Sequence, residues 1–150
     1  MEKKIKTRYR VILISILVIM LVAIRFFENS LFYDPLINFF RSDYLLHIIP
    51  PMDMAELMLN LTFRFIMNTF ICLAIIYIAF QNINILKFSV ILYAVLYLLG
   101  VVAFIFLVLN IEREHYLALF YVRRFLIHPL FILILIPAFY YYHLSRKRMN

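Results

Sequence analysis

Asn60, Arg64, Asn68 and Cys72 recur at four-residue spacing inside LNLTFRFIMNTFICLAIIYIAF, a run that is otherwise almost wholly apolar. On a helix that spacing makes one slowly drifting polar stripe. An arginine amid hydrocarbon is costly and turns toward protein or water rather than lipid. The later stretch YVRRFLIHPLF supplies material to meet it: Arg123, Arg124 and His128. Guanidinium groups pair with carboxylates or grip a phosphate or carboxylate in bidentate fashion. A thiol, an imidazole and a guanidinium are also the residue types of a membrane cysteine transpeptidase. There the thiolate attacks a carbonyl, the imidazole moves the proton and arginine steadies the charge.

Three readings of these residues stand side by side. In the first, Arg64 and Arg124 pair with acids of the connecting segments (Glu28, Asp53, Glu56, Glu112 or Glu114) and lock helix register without chemistry. Asn60 and Asn68 would then bridge helices, at roughly 0.6–2 kcal/mol each. In the second, the arginines hold an anion such as a lipid headgroup. In the third, Cys72, Arg124 and His128 form a catalytic set. A lone cysteine deep in an apolar run is ordinarily a small core residue. The reading therefore leans away from an enzyme and assigns no catalytic residue, no metal ligands and no cofactor. Asn60, Arg64, Asn68, Arg123, Arg124 and His128 are taken as an intramembrane polar patch.

Composition sets the frame that must position these groups. Of 150 residues, 67% are hydrophobic, against about 45–50% in an ordinary soluble domain. One soluble core of this size could not hide that much apolar surface. A single cysteine, Cys72, permits no disulfide within a chain, no CxxC redox pair and no thiolate metal cluster. That excludes membrane thiol oxidases built on cysteine pairs. Drug or proton antiporters need a carboxylate at the centre of a span, and bis-histidine haem needs two histidines at one depth; neither is offered. Basic clusters at the chain ends are explained by membrane topology rather than by a nucleic-acid partner.

The hydropathy pattern predicts an all-α integral membrane protein with four transmembrane helices, near residues 9–27, 57–80, 88–109 and 117–142. The first apolar run lacks a small-x-small cleavage signal and is expected to remain as an anchor. Between the first two spans, Asp34-Pro35 and Pro50-Pro51 mark turns. PLINFFRSDYLL between them predicts an amphipathic helix at the outer interface. Asp53, with Glu56 three residues on, predicts a helix N-cap. QNINILK is read as a polar turn and NIEREHY as a short outer loop. Tyr93, Tyr97 and Gly100 share a helix face, read as packing. Pro129 predicts a kink near His128 in the last span.

Four spans put both termini on one side. Lys3, Lys4, Lys6, Arg8, Arg10, Lys87, Arg146, Lys147 and Arg148 then share the inside with Glu2 as the only acid. The positive-inside rule makes that side cytoplasmic. Arg25, Arg64, Arg123 and Arg124 fall at the level of the outer leaflet, where they can meet.

Three stretches, RFFENSLFYDPLINFF, NLTFRFIMNT and FYVRRFLIHPLFILILIPAFYYY, resemble the exosortase F system-associated proteins. These are small hydrophobic proteins of Gram-negative bacteria encoded beside exosortase F. The resemblance spans nearly the whole chain. It implies a multi-pass protein of the bacterial inner membrane, surrounded by membrane lipid and acting as a non-enzymatic accessory to a protein-sorting system. It also implies exosortase F, or the transmembrane segment of an exosortase substrate, as a partner. It transfers no catalytic residue.

Overall fold

The computed structural model describes residues 5–42, 48–128 and 130–149. All regular structure among them is helical: α1 (Thr7–Phe26), α2 (Glu28–Leu31), α3 (Leu36–Arg41), α4 (Met54–Phe80), α5 (Ile83–Leu109), α6 (Tyr116–Ile127) and α7 (Leu130–Met149). A 3-10 turn, Arg113–His115, leads into α6. Helices α1, α4 and α5 are each long and apolar enough to cross a membrane. Arg113–Ile127 and Leu130–Arg148 meet the same criterion only as a pair, bent by 60° at the break between them. The chain thus has the make-up of a multi-pass helical membrane protein, with three spans or four if the bent pair counts as one.

Helix ends fall where side chains satisfy orphan backbone groups. Asp53 accepts from the amides of Ala55 at 2.9 Å and Glu56 at 3.2 Å and starts α4 as expected. Gln81 adopts φ 49°, a left-handed residue that closes α4. Asn82 immediately opens the next helix by accepting from Asn84 at 2.9 Å. The polar turn expected over QNINILK is therefore only Gln81 and Asn82 long, and α5 begins five residues before the expected 88. No glycine or proline lies between Asn82 and residue 88, so nothing opposes the earlier start.

The last span departs further from expectation. A single kinked helix over residues 117–142 is replaced by two helices. His128 is extended (φ −103°, ψ 138°), the conformation that a following proline imposes on its predecessor. Pro129 itself lies outside the described residues, as do residues 1–4 and 43–47, the latter holding part of the predicted amphipathic segment. Within that segment α3 buries Leu36, Ile37 and Phe39. It packs on α6 through Phe39 against Tyr116 (5.4 Å between ring centroids) and Phe40 against Phe120 (5.2 Å).

Helix α4 is the hub, packing against α1, α5, α6 and α7. Leu57, Leu61, Phe65, Ile71, Ile75 and Ile76 carry its buried face. Phe104 of α5 and Leu119 and Leu126 of α6 complete the centre. Gly100 is a point of close packing between α5 and α6: a Cβ there would stand 2.7 Å from Leu126 Cδ2. Tyr93 meets Phe131 edge-on at 5.8 Å, and the Tyr97 hydroxyl lies 2.6 Å from Thr62 Oγ1. Helix α1 buries no residue fully. It leans on the bundle through Ile14, Leu17, Leu21 and Ile24.

Candidate functional site

The buried charge gathers where the C-terminal end of α1, α2, the turn before α3, the N-terminal half of α4 and the end of α6 meet. Arg64 is 2% exposed. Its Nη2 donates to Glu28 Oε2, and its Nη1 lies 3.7 Å from Asp34 Oδ2. Phe32 lies beneath the guanidinium, 5.2 Å from Cζ to the ring centroid. Arg123 is also buried and forks onto Asp34: Nε donates to Oδ2 at 3.0 Å, and Nη2 donates to the same oxygen. Asp34 is held for this role by its own turn, since Oδ1 accepts from the amide of Leu36 at 3.2 Å at the start of α3. Glu28, buried in the single turn of α2, also accepts from Arg25 Nη1 at 2.5 Å and lies 3.8 Å from Arg41.

The pairing reading is therefore correct for Arg64 and mistaken in most of its partners. Glu28 is a partner, but Asp34, read only as a turn marker, is the acid that joins Arg64 to Arg123. Asp53 is occupied as a helix cap. Arg124 has no carboxylate within ion-pair distance among the described residues. It is exposed and stands over the ring of Phe120 at 6.0 Å. Neighbours on a helix point about 100° apart, so Arg123 turns into the bundle while Arg124 turns to the rim.

The two asparagines of the stripe serve the backbone. Asn68, buried, donates to the carbonyl of Ile127 at 2.9 Å. That carbonyl is orphaned by the end of α6, and inside a membrane such a group needs a partner from within the protein. Asn60 donates to the carbonyl of Glu56 at 2.9 Å and accepts from the amide of Tyr33 at 3.3 Å. It pins the connector to α4 and does not line the cavities described next, so it leaves the candidate site.

Two adjoining cavities open beside the ion pairs. The first, about 230 Å³, is walled by Arg25, Arg41, Arg123, Arg124 and His128 and by the carboxylate of Glu28, with Phe40 and Phe120. The second, about 250 Å³, lies between α1 and the α6–α7 break, lined by Leu21, Val22, Ile24 and Ile127 with Arg64 and Asn68. Arg25, Ile127 and His128 belong to both. Arg25 and Arg41 were not singled out as site residues from the sequence. The signal for Arg25 was only that it shares a predicted depth with Arg64 and Arg124; Arg41 lay in the predicted amphipathic segment of the outer connector.

Cys72 stands apart from this cleft. It is fully buried. The space it lines with Tyr93 and His128 is about 10 Å³, room for one water at most. A peptide carbonyl cannot reach the sulfur in this arrangement. Among the described residues no three His, Cys, Asp or Glu side chains converge as a metal site. What the cleft can do is electrostatic: five guanidinium groups face two carboxylates, and both carboxylates are already committed to Arg64 and Arg123.

No protein-family model, curated protein or solved structure matches the chain.

Proposed function

We propose that this chain is a non-enzymatic accessory protein of the bacterial inner membrane whose site holds an anionic group at the outer leaflet. Both termini are then cytoplasmic, in keeping with the segregation of every lysine to one set of loops and ends. The observation that carries the reading is the surplus of cations around the first cavity. Arg25, Arg41 and Arg124 line it with exposed side chains; Glu28 also lines it and is shared by Arg25, Arg41 and the buried Arg64, and Asp34 is held by Arg123, so five arginines meet two acids and positive charge is left over. Arginine suits a bidentate phosphate or carboxylate ligand.

The exosortase-type setting rests on the resemblance of three stretches of the sequence. The three stretches that carry the resemblance are far apart in the chain, yet they supply this one site: Arg25, Glu28 and Asp34 from the first, Arg64 and Asn68 from the second, Arg123, Arg124 and His128 from the third. The partner in that setting is exosortase F or its substrate's transmembrane segment, docked beside the anion-loaded cleft.

The test is recovery of the tagged full chain from its native membrane in mild detergent, with co-purifying lipids and proteins identified by mass spectrometry. Wild type should carry an anionic species enriched over the bulk membrane, and an Arg41→Gln/Arg124→Gln variant should lose it. A sortase-type protein among the recovered partners supports the accessory role. No enrichment, or enrichment indifferent to the two substitutions, overturns the anion site.

A further inference from the structure

Resting on the anion-holding reading, we propose that the two cavities are one site for an anionic phospholipid. Its phosphate lies among Arg25, Arg41 and Arg124, and the start of an acyl chain lies between α1 and the α6–α7 break.

Three features of the cleft fit this occupant together. The cavities differ in character and adjoin, with Arg25, Ile127 and His128 lining both. One is ringed by cations and the other by aliphatic side chains, the head-and-tail division of a phospholipid. Each is smaller than the ~300–1,000 Å³ of a pocket that encloses a whole small molecule, so each takes one part of a larger amphiphile. Val22, on the α1 wall of the apolar cavity, is 63% exposed on a candidate span. The cavity therefore opens sideways, on the face where lipid surrounds the helix, and a chain can enter without leaving hydrocarbon.

The third feature lies at the seam. Arg64 Nη1 and His128 Nδ1 are buried without a hydrogen-bond partner. Arg64 lines the apolar cavity and His128 lines both. Arg64 Nη1 is 3.7 Å from Asp34 Oδ2, too long for a hydrogen bond, and a buried donor left unpaired is costly. The ester oxygens of a glycerolipid lie between phosphate and chain and are acceptors at that depth. A soluble anion would leave the apolar cavity unused. An extended peptide would need free backbone groups to pair with, and the Ile127 carbonyl on this wall is already taken by Asn68.

The experiment is thermal unfolding of the purified, delipidated full chain in neutral-detergent micelles with phosphatidylglycerol, with phosphatidylcholine of the same chains, or with glycerol phosphate. Phosphatidylglycerol should raise the midpoint saturably, by roughly 5 °C, with little effect from the other two. Arg124→Gln should at least halve that shift. Val22→Trp, which fills the apolar cavity from an exposed position, should abolish it while leaving the lipid-free midpoint near wild type. Equal stabilisation by glycerol phosphate would overturn the lipid assignment and leave the anion site standing. Equal stabilisation by phosphatidylcholine would reduce the effect to general solvation and overturn the assignment too. No stabilisation by any of the three would overturn both readings.

Discussion

Replacing Asp34 by asparagine separates charge from shape at the centre of the buried network. Asparagine caps a helix as well as aspartate does, so the bond to the Leu36 amide survives and the turn before α3 should hold. What is lost is the negative charge that Arg123 forks onto and that lies 3.7 Å from Arg64. The side chains of Asp34 and Arg64 are each 2% exposed and that of Arg123 is 7% exposed. Water cannot take over the abandoned guanidinium. Removing one partner of such a pair costs about 3–5 kcal/mol. Arg25→Gln also removes an ion pair, with Glu28, but its side chain is 54% exposed, and exposed pairs are worth about 0–1 kcal/mol. For a chain of this size 1 kcal/mol moves the midpoint by roughly 2–4 °C. Asp34→Asn should therefore melt on the order of 10 °C below wild type, and Arg25→Gln within about 4 °C of it. The lone, fully buried Cys72 provides the assay, since a fluorogenic maleimide reports unfolding as the thiol becomes exposed. The double change Asp34→Leu/Arg123→Met removes both charges and should recover much of the single variant's loss. Equal melting of Asp34→Asn and Arg25→Gln, or a double variant no better than the single, would refute the buried-network argument.

Gly100→Ala should cost about 1–3 kcal/mol by overpacking, because the new methyl meets Leu126 at 2.7 Å; the same melts should show Leu126→Ala restoring part of it. Asn68→Leu uncovers the Ile127 carbonyl and should lose about 1 kcal/mol, measured in the same way, with Asn68→Gln milder than Asn68→Leu. Cys72 in the folded protein should resist maleimide for hours at room temperature and react fully once denatured. Rapid labelling of the native protein would mean that the sulfur reaches solvent by a path the structure does not contain.

The stripe on α4 was legible in part because the physics is local: a cation and an amide amid apolar residues turn inward whatever their partners, as Arg64 and Asn68 do, whereas Asn60 near the start of the helix stays half-exposed. The partners themselves were not. Asp34 sits beside a proline and reads as a turn. Only the tertiary course of the 28–42 connector, which its local pattern does not fix, brings it beneath Arg123. The pair Arg123 and Arg124 was ambiguous for a geometric reason, since adjacent helical residues point apart and sequence does not say which faces in. The break at His128 was underestimated as a kink. A proline constrains the residue before it as well as removing a donor, and here that constraint ended the helix outright. The early start of α5 is set by the Asn82 cap, which is hidden in the sequence because QNINILK reads as a turn on its polar composition.

Helix α1 touches its neighbours along most of its length, yet its specific polar bonds to other helices fall at its two ends. Near its start the Arg10 side chain donates to the carbonyls of Ile78 and Ala79 at the end of α4. At its finish Arg25 joins Glu28 and, through it, Arg64. The turns between are apolar and half-buried at most, so what they need is greasiness and bulk rather than particular shapes. Sequence drift in a lineage of such chains would then be uneven along this helix. The middle should wander freely among leucine, isoleucine and valine, Arg25 with its exposed side chain should tolerate exchange at small cost, and Arg10 should resist exchange, even for lysine. A library of α1 variants scored for folding would trace that contour directly, with one narrow trough of tolerance at the start of the helix and a broad permissive plateau after it.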